Sequence, residues 1–244
     1  MKNLKTLFIV ILVSFGTTAI AQTADEIITN YFENTGGAEK WAKLNGVKMN
    51  ALASSQGMEI PVEIIQTANG KQAVIINFQG QSITQFAFDG NTMWSTNFMT
   101  MQPEKSDSEA TENMKRVASD FPSALFNYKE KGYSVELIGS ETIEGTETYK
   151  IKLTQKPMII DGKEEPNVSY YYFDKDSYVI LQSESEIKQG PMAGQKNIST
   201  MSDYDEVDGL YFPFSLGMNG QGIQIKSIEL NPSIDESVFS FPEK

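Results

Sequence analysis

The 244-residue chain contains no histidine and no cysteine, and its one arginine is Arg116. Without histidine there is no Ser-His-Asp triad and no imidazole to act as acid, base or pH switch near neutrality. Without cysteine there is no thiolate nucleophile, no thiolate metal site and no attachment point for a bacterial lipid anchor. What remains is carboxylate, lysine, tyrosine or serine chemistry, or no chemistry at all, and the last reading is favoured. The missing disulfides carry little information about redox compartment, because a chain of this length buries roughly 70% of its unfolded surface. A formal charge of −12, from 20 basic and 32 acidic residues, excludes nucleic acid and anionic membrane surfaces as partners.

The ends and the apolar runs bound the rest. Lys2 and Lys5 precede the run Leu7 to Val13, and Ala19-Ile20-Ala21 closes it as an A-x-A cleavage site. That is the layout of a secretory signal over residues 1–21, too short to span a bilayer. The expectation is an exported domain over residues 22–244, with no lipid anchor and no transmembrane helix. Loss of Lys2 and Lys5 takes its formal charge from −12 to −14.

The domain opens with helical spacing. Thr23 caps a helix with Ile27, Ile28, Tyr31 and Phe32 on one face, and Gly36-Gly37 breaks it before Trp41 and Leu44. From Gly46 the period falls to two. Met58 to Ile64 alternates, Asn69-Gly70 turns the chain into Ala73 to Phe78, and Ser82 to Phe88 leads through Asp89-Gly90 toward Trp94. A polar, Met-containing stretch over 99–108 then interrupts the strands. A helix follows from Glu109 to Phe121, with a capping box of Ser106 and Glu109 and an apolar stripe of Ala110, Met114, Val117 and Phe121. Strands resume at Tyr133, Thr146, Val168, Tyr178, Ile198, Leu210 and Gly222, giving ten or eleven in all.

Several strands are apolar on both faces. Phe212, Phe214, Leu216 and Met218 oppose Tyr211 and Pro213, and Val74, Ile76 and Phe78 oppose Ala73 and Ile75. A sheet with one solvated face alternates more cleanly, so both faces are covered. The fold class is mainly β, an α+β arrangement with one strongly curved antiparallel sheet that forms an unclosed barrel under short helices.

No cofactor or metal is expected. Asp203 to Gly209 resembles a calcium loop only superficially, because the aspartate spacing departs from the EF-hand pattern and Asp208-Gly209 reads as a hairpin turn. The many acids read as a solvated surface, no S-x-x-K reads as a buried turn, and no glycine-rich phosphate loop is present. Tyr170 to Phe173 places two aromatics on each sheet face. Met93, Met99, Met101 and Met114 gather around the interrupting helix, and methionine suits surfaces that accept variable apolar partners.

The whole layout resembles the periplasmic lipoprotein-sorting carriers, the LolA-like family, in its Bacteroidetes-type form. The segments that carry the likeness are Gly36 to Trp41, Phe88-Asp89-Gly90 with Trp94, Tyr171 to Asp174, Tyr204 to Pro213, Asn231-Pro232 and Phe239 to Pro242. They are turns and aromatics, specific to fold more than to activity. The resemblance implies a half-barrel whose concave apolar face holds acyl chains under a helical lid. It also implies a periplasmic, non-enzymatic carrier with lipid or lipoprotein acyl chains as cargo and handover proteins at the inner and outer membranes. Candidate ligand-binding residues are Trp94, Met114, Val117, Phe121, Tyr172, Phe214 and Met218. The family's lid arginine has no clear counterpart in Arg116. The alternatives are an envelope-stress sensing or scaffold module, and a carboxylate-dependent hydrolase.

Overall fold

Thr23 begins the first helix as the spacing predicts. Its hydroxyl accepts from the Glu26 N–H at 3.2 Å, and the Glu26 carboxylate accepts from the Thr23 N–H at 2.8 Å. This reciprocal box satisfies two of the orphan donors that every helix start exposes. The computed structural model describes residues 22–55, 57–190 and 192–242; the signal expected over 1–21 lies outside the described residues. Helix α1 (Ala24–Asn34) is followed by α2 (Ala38–Trp41). Among the described residues no helix is long and apolar enough to cross a membrane.

The strands are β1 (Gly46–Ser55), β2 (Met58–Thr67), β3 (Gln72–Phe78), β4 (Gln81–Phe88), β5 (Met93–Asn97) and β6 (Gln102–Lys105). Helix α3 (Ser108–Val117) interrupts them. They resume as β7 (Ser134–Ile143), β8 (Thr146–Thr154), β9 (Met158–Ile160), β10 (Lys163–Glu165), β11 (Val168–Asp174) and β12 (Ile180–Glu186). The last are β13 (Lys196–Val207), β14 (Leu210–Met218) and β15 (Gln221–Leu230). Thirteen strands form one sheet in the order β6-β5-β4-β3-β2-β1-β15-β14-β13-β12-β11-β8-β7, and β9 and β10 pair as a separate hairpin. Every pairing is antiparallel, and the edges β6 and β7 do not meet, so the barrel is open.

The expected ten or eleven strands fall short of the fifteen among the described residues, and three of those missed have a physical reason. The stretch over 99–108 contains β6, a short edge strand whose Gln, Pro, Glu and Lys hide its pairing with β5. The β9–β10 hairpin surrounds the expected Asp161-Gly162 turn, but three-residue strands leave no periodic trace. The interrupting helix also differs. Its cap is Asp107, which accepts from the Ala110 N–H at 2.7 Å, while the Ser106 N–H donates to the Met93 carbonyl. Ser106 is thus held by β5 and is not free to cap. The α-helix ends at Val117, and a 3-10 turn (Ala118–Asp120) carries the chain to an extended Phe121.

Curvature comes from register shifts. Four ladders slip by one residue, at Asn50/Ala51, Val74/Ile75, Tyr172/Phe173 and Leu137/Gly139. Each extra residue bends its strand and adds to the right-handed twist, which rolls a wide sheet toward closure.

Both faces are covered, as the doubly apolar strands require. On the concave face α1 lodges Ile27, Ile28, Tyr31 and Phe32 in one cluster with side chains of β1, β2, β8, β11, β14 and β15, joined by Trp41 and by Leu125 and Phe126 from the segment after α3. Phe32 meets Trp41 and Phe126 edge-on at 5.9 and 5.1 Å, and Tyr31 meets Phe173 at 5.8 Å. The buried Thr35 hydroxyl donates to the Tyr31 carbonyl at 2.7 Å and accepts from the Trp41 indole N–H at 3.1 Å, so no polar group is stranded there. On the convex face the C-terminal segment brings Ile234, Val238, Phe239 and Phe241 over Ile65, Ala73, Ala87 and Trp94.

Two segments singled out by resemblance meet in space. Gly36, at φ +123°, passes so near the β13–β14 turn that a Cβ there would collide with the Gly209 carbonyl and the Leu210 side chain. The Tyr211 N–H donates to the Thr35 carbonyl at 3.0 Å, Lys40 Nζ donates to the Gly209 carbonyl at 3.1 Å, and Trp41 lies 5.1 Å from the Phe212 ring. Asp208 (φ 51°) and Gly209 (φ 81°) make this a hairpin turn with two positive φ values, the conformation D-G is suited to. Gly36→Ala is expected to cost about 2 kcal/mol or more, because it adds both a left-handed strain and a backbone collision. Urea denaturation should show this as a lower midpoint, whereas Gly145→Ala, at an open turn, should cost less.

Candidate functional site

The concave face is more apolar than α1 can cover. Around the buried cluster lies a belt of partly exposed side chains, including Met49 and Ala53 on β1, Ile64 on β2, Ile76 on β3, Met201 on β13, Phe214 and Leu216 on β14 and Ile223 on β15. Alternation places these residues on the same face as the core, away from the end that α1 fills. Two apolar grooves border it. One, of about 420 Å³, lies between Trp41, Leu44, Phe121 and Phe126 with Lys131 and Lys156 at its margin. The other, of about 500 Å³, is lined by Ile76, Phe78, Gln79, Gln81, Ile83, Phe98 and Met101. Both volumes fall in the range of small-molecule sites.

Helix α3 crosses the opening between the sheet edges. It packs against β5 near one edge and against β9, which issues from β8 near the other. The fastening is polar. Asn113, the buried residue of α3, donates to the Ile159 carbonyl and accepts from the Ile159 N–H, both at 2.7 Å. Arg116 donates to the Pro157 carbonyl at 2.9 Å and pairs with Glu164 at 3.1 Å. Glu109 accepts from the N–H groups of Asp161 and Gly162 at 3.1 and 2.9 Å, and from Gln189 at 2.7 Å. Ala110, Met114 and Val117, the stripe expected to face inward, are partly buried. Asn113 lies on the same side of the helix, three residues after Ala110 and four before Val117, and its amide completes the open backbone of β9.

The seven candidate residues separate into three groups. Phe121 and Phe214 pack against the concave cluster. Met114 and Val117 sit on α3, and Met218 ends β14 in an exposed position. Trp94 and Tyr172 lie on the convex face, apart from the other candidates. Trp94 follows Ile65, Ala73 and Ala87 in one cross-strand row under the C-terminal segment, and its indole N–H donates to the Phe239 carbonyl at 2.9 Å. Tyr171 and Phe173 turn inward, so Tyr172 between them turns out, with Lys150 5.0 Å from its ring centre. Met101 was singled out with the other methionines, but sequence reasoning missed its groove partners Ile76, Phe78, Ile83 and Phe98. The signal was present: F-Q-G-Q over 78–81 and F-M-T-M over 98–101 are turns with aromatic and methionine residues in place of charge.

One titratable cluster lies near the first groove. Asp120 accepts from the Tyr133 hydroxyl and from the Gln155 amide, both at 2.7 Å, and Lys131 Nζ donates to the Ser123 carbonyl at 2.7 Å. Burial lifts the Asp120 carboxyl above its usual value and lowers Lys131. Burial, with the Asp120 charge second, raises Tyr171 to about 12. Both Asp120 oxygens are engaged by neutral donors that tie the 3-10 turn to β7 and β8, an anchoring role. Among the described residues no group of three acidic side chains is placed to hold a metal ion.

No protein-family profile matches the chain, and no curated protein sequence does. Among solved structures it is similar to a LolA superfamily protein from Nitrosomonas europaea, with a TM-score of 0.52 at 15% identity over 90% of this chain and 98% of that one. It is also similar to a DUF1329 family protein from Desulfovibrio piger, with a TM-score of 0.45 at 14% identity over 87% and 97%. The first likeness gives the chain a LolA-like fold.

The Asp120 anchor generates a pH prediction. The folded chain binds this proton more readily than the unfolded chain, so the group's contribution to stability falls as pH rises from 3.8 through its raised value. Asp120→Asn should flatten the stability curve in that window, read from urea midpoints at successive pH values.

Proposed function

We propose that this protein binds the acyl chains of a lipid or lipoprotein against its concave face and carries them through an aqueous compartment, without covalent catalysis. The observation that carries the reading is the belt of partly exposed aliphatic and aromatic side chains left on the concave face beyond α1. Each methylene withdrawn from water gains about 0.8 kcal/mol, so a long acyl chain in solution costs roughly 10 kcal/mol. A curved sheet offers the wall that recovers this energy. Phe214, Leu216, Met201 and Ile76 supply area, and Phe121 borders the groove beside Trp41.

The fastening of α3 supports a lid. Hydrogen bonds from Asn113, Glu109 and Arg116 exchange with water at little net cost, about 0.5–1.5 kcal/mol each, whereas an apolar seal would have to expose its area to open. Arg116 in this reading latches α3 to the β9–β10 hairpin through the Pro157 carbonyl and Glu164. An exported, periplasmic location and membrane-bound loading and unloading partners complete the proposal.

Native mass spectrometry of protein purified from a lipid-containing host, with uptake of a fluorescent fatty acid after delipidation, tests it. Lipid-bearing species and saturable uptake are expected, and Phe214→Asp should weaken uptake by tenfold or more, about 1.4 kcal/mol. Empty protein that takes up no probe sinks the reading. Arg116→Ala should accelerate probe exchange while leaving the fold intact.

A further inference from the structure

Among the described residues nine large apolar side chains are exposed to solvent, and six of them share one region, while Ile138, Met192 and Tyr211 lie elsewhere. Met58, Phe78, Phe98, Met99, Met101 and Met218 all stand at or beside the tips of hairpins. The sheet order β6-β5-β4-β3-β2-β1-β15-β14 makes these four tips successive neighbours at one end of eight antiparallel strands. Strand spacing sets adjacent tips about 10 Å apart, a row of roughly 30 Å. The tips over 55–58, 78–81, 98–101 and 218–221 hold no charged residue, in a chain of formal charge −12. Turns at the other end of the same strands do carry charge: Lys71 follows Asn69-Gly70, Asp89 precedes Gly90, and Asp208 precedes Gly209.

The tips are stiff. Gln79 (φ 52°) with Gly80 (φ 80°), and Asn219 (φ 47°) with Gly220 (φ 84°), form tight turns with both central residues at positive φ. Their backbone is closed within the hairpin, which is the condition for entering an apolar medium. Met99 is 95% exposed, and Asn97 accepts at its carbonyl from the Met101 N–H at 2.7 Å to shape the loop that projects it. Behind the tips the groove of about 500 Å³ opens between Phe78 and Phe98 and runs back to Ile76, which packs on the concave cluster.

We propose that this row of hairpin tips docks on the surface of a zwitterionic lipid bilayer, with Met58, Phe78, Phe98 and Met99 entering the interfacial region. Two properties select a bilayer as the occupant. Separate projecting side chains on rigid turns suit a fluid medium that closes around each, and a continuous flat patch of the kind a second protein covers is not what the hairpins offer. The absence of charge from the four tips also lets an acidic chain approach a neutral headgroup layer, while anionic lipids repel its remainder. The inference does not rest on the cargo reading, because docking needs no bound acyl chain.

Flotation with phosphatidylcholine vesicles tests it, using the full chain without its 1–21 segment. The protein should float. Met58→Asp with Met99→Asp, at positions with little packing to lose, should lower partitioning at least about tenfold. Ile138→Asp, at an apolar residue on β7 nearly as exposed as Met58 (46% against 51%), should float like the parent, and matched melting curves confirm folding. Adding phosphatidylglycerol at low salt should weaken flotation, and salt should restore it. A parent protein that stays at the bottom, a double variant that floats unchanged, or binding restricted to anionic vesicles would each overturn the proposal. So would a row that instead mediates self-association, seen as dimers of the parent that the double variant abolishes without vesicle binding. Fatty-acid uptake from solution by the double variant keeps this result separate from the fate of the cargo reading.

Discussion

The structure depends on one steric constraint, the passage of the Gly36 backbone against the Gly209 carbonyl. Helix α1 must leave the interior of the sheet and hand the chain to β1 without a loop that would spoil the seal. It does so by running against the β13–β14 turn, where only a residue without Cβ fits. That contact fixes the depth at which α1 sits, hence which rows of the concave face it buries. Tyr31, Phe32 and Trp41 then fill the closed end, and the belt from Met49 to Phe214 is what remains.

Coverage of the other face follows a different logic. The convex surface near β2 to β5 is roofed by the C-terminal segment, and Asn231 begins the roof. Its N–H donates to the Gly46 carbonyl at 2.8 Å and its side chain accepts from the Asn45 N–H at 2.6 Å, tying the end of the sheet to its start. Farther along, the face is polar, and Glu184 is satisfied by Gln182 at 3.0 Å and Lys196 at 2.9 Å. The sheet is therefore sealed by hydrocarbon where the tail lies and by ion pairs where it does not.

Much of this architecture was legible in the residues. Period-two alternation located most central strands, N-G and D-G located their turns, and the doubly apolar β3 and β14 announced that both faces would be covered. What alternation cannot give is which face is which once a bulge intervenes. Trp94 and Tyr172 read as cavity residues because they are large and aromatic, yet parity within their rows turns them outward. In the inserted helix the stripe of Ala110, Met114 and Val117 marked the partly buried side, but the amide of Asn113 that fastens this side to β9 leaves no trace in an apolar periodicity. The apolar groove at Phe78 and Phe98 escaped because turns were read for their glycines and not for the charge they lack.

The placement of the two tryptophans gives the molecule a pair of built-in optical reporters. Trp41 is enclosed with Phe32 and Phe212 at the closed end of the interior, while Trp94 lies under the tail against Phe241 and the Phe239 carbonyl. Their emission reports on opposite sides of one sheet. Quenching that reaches one indole before the other would reveal whether the interior or the tail loosens first.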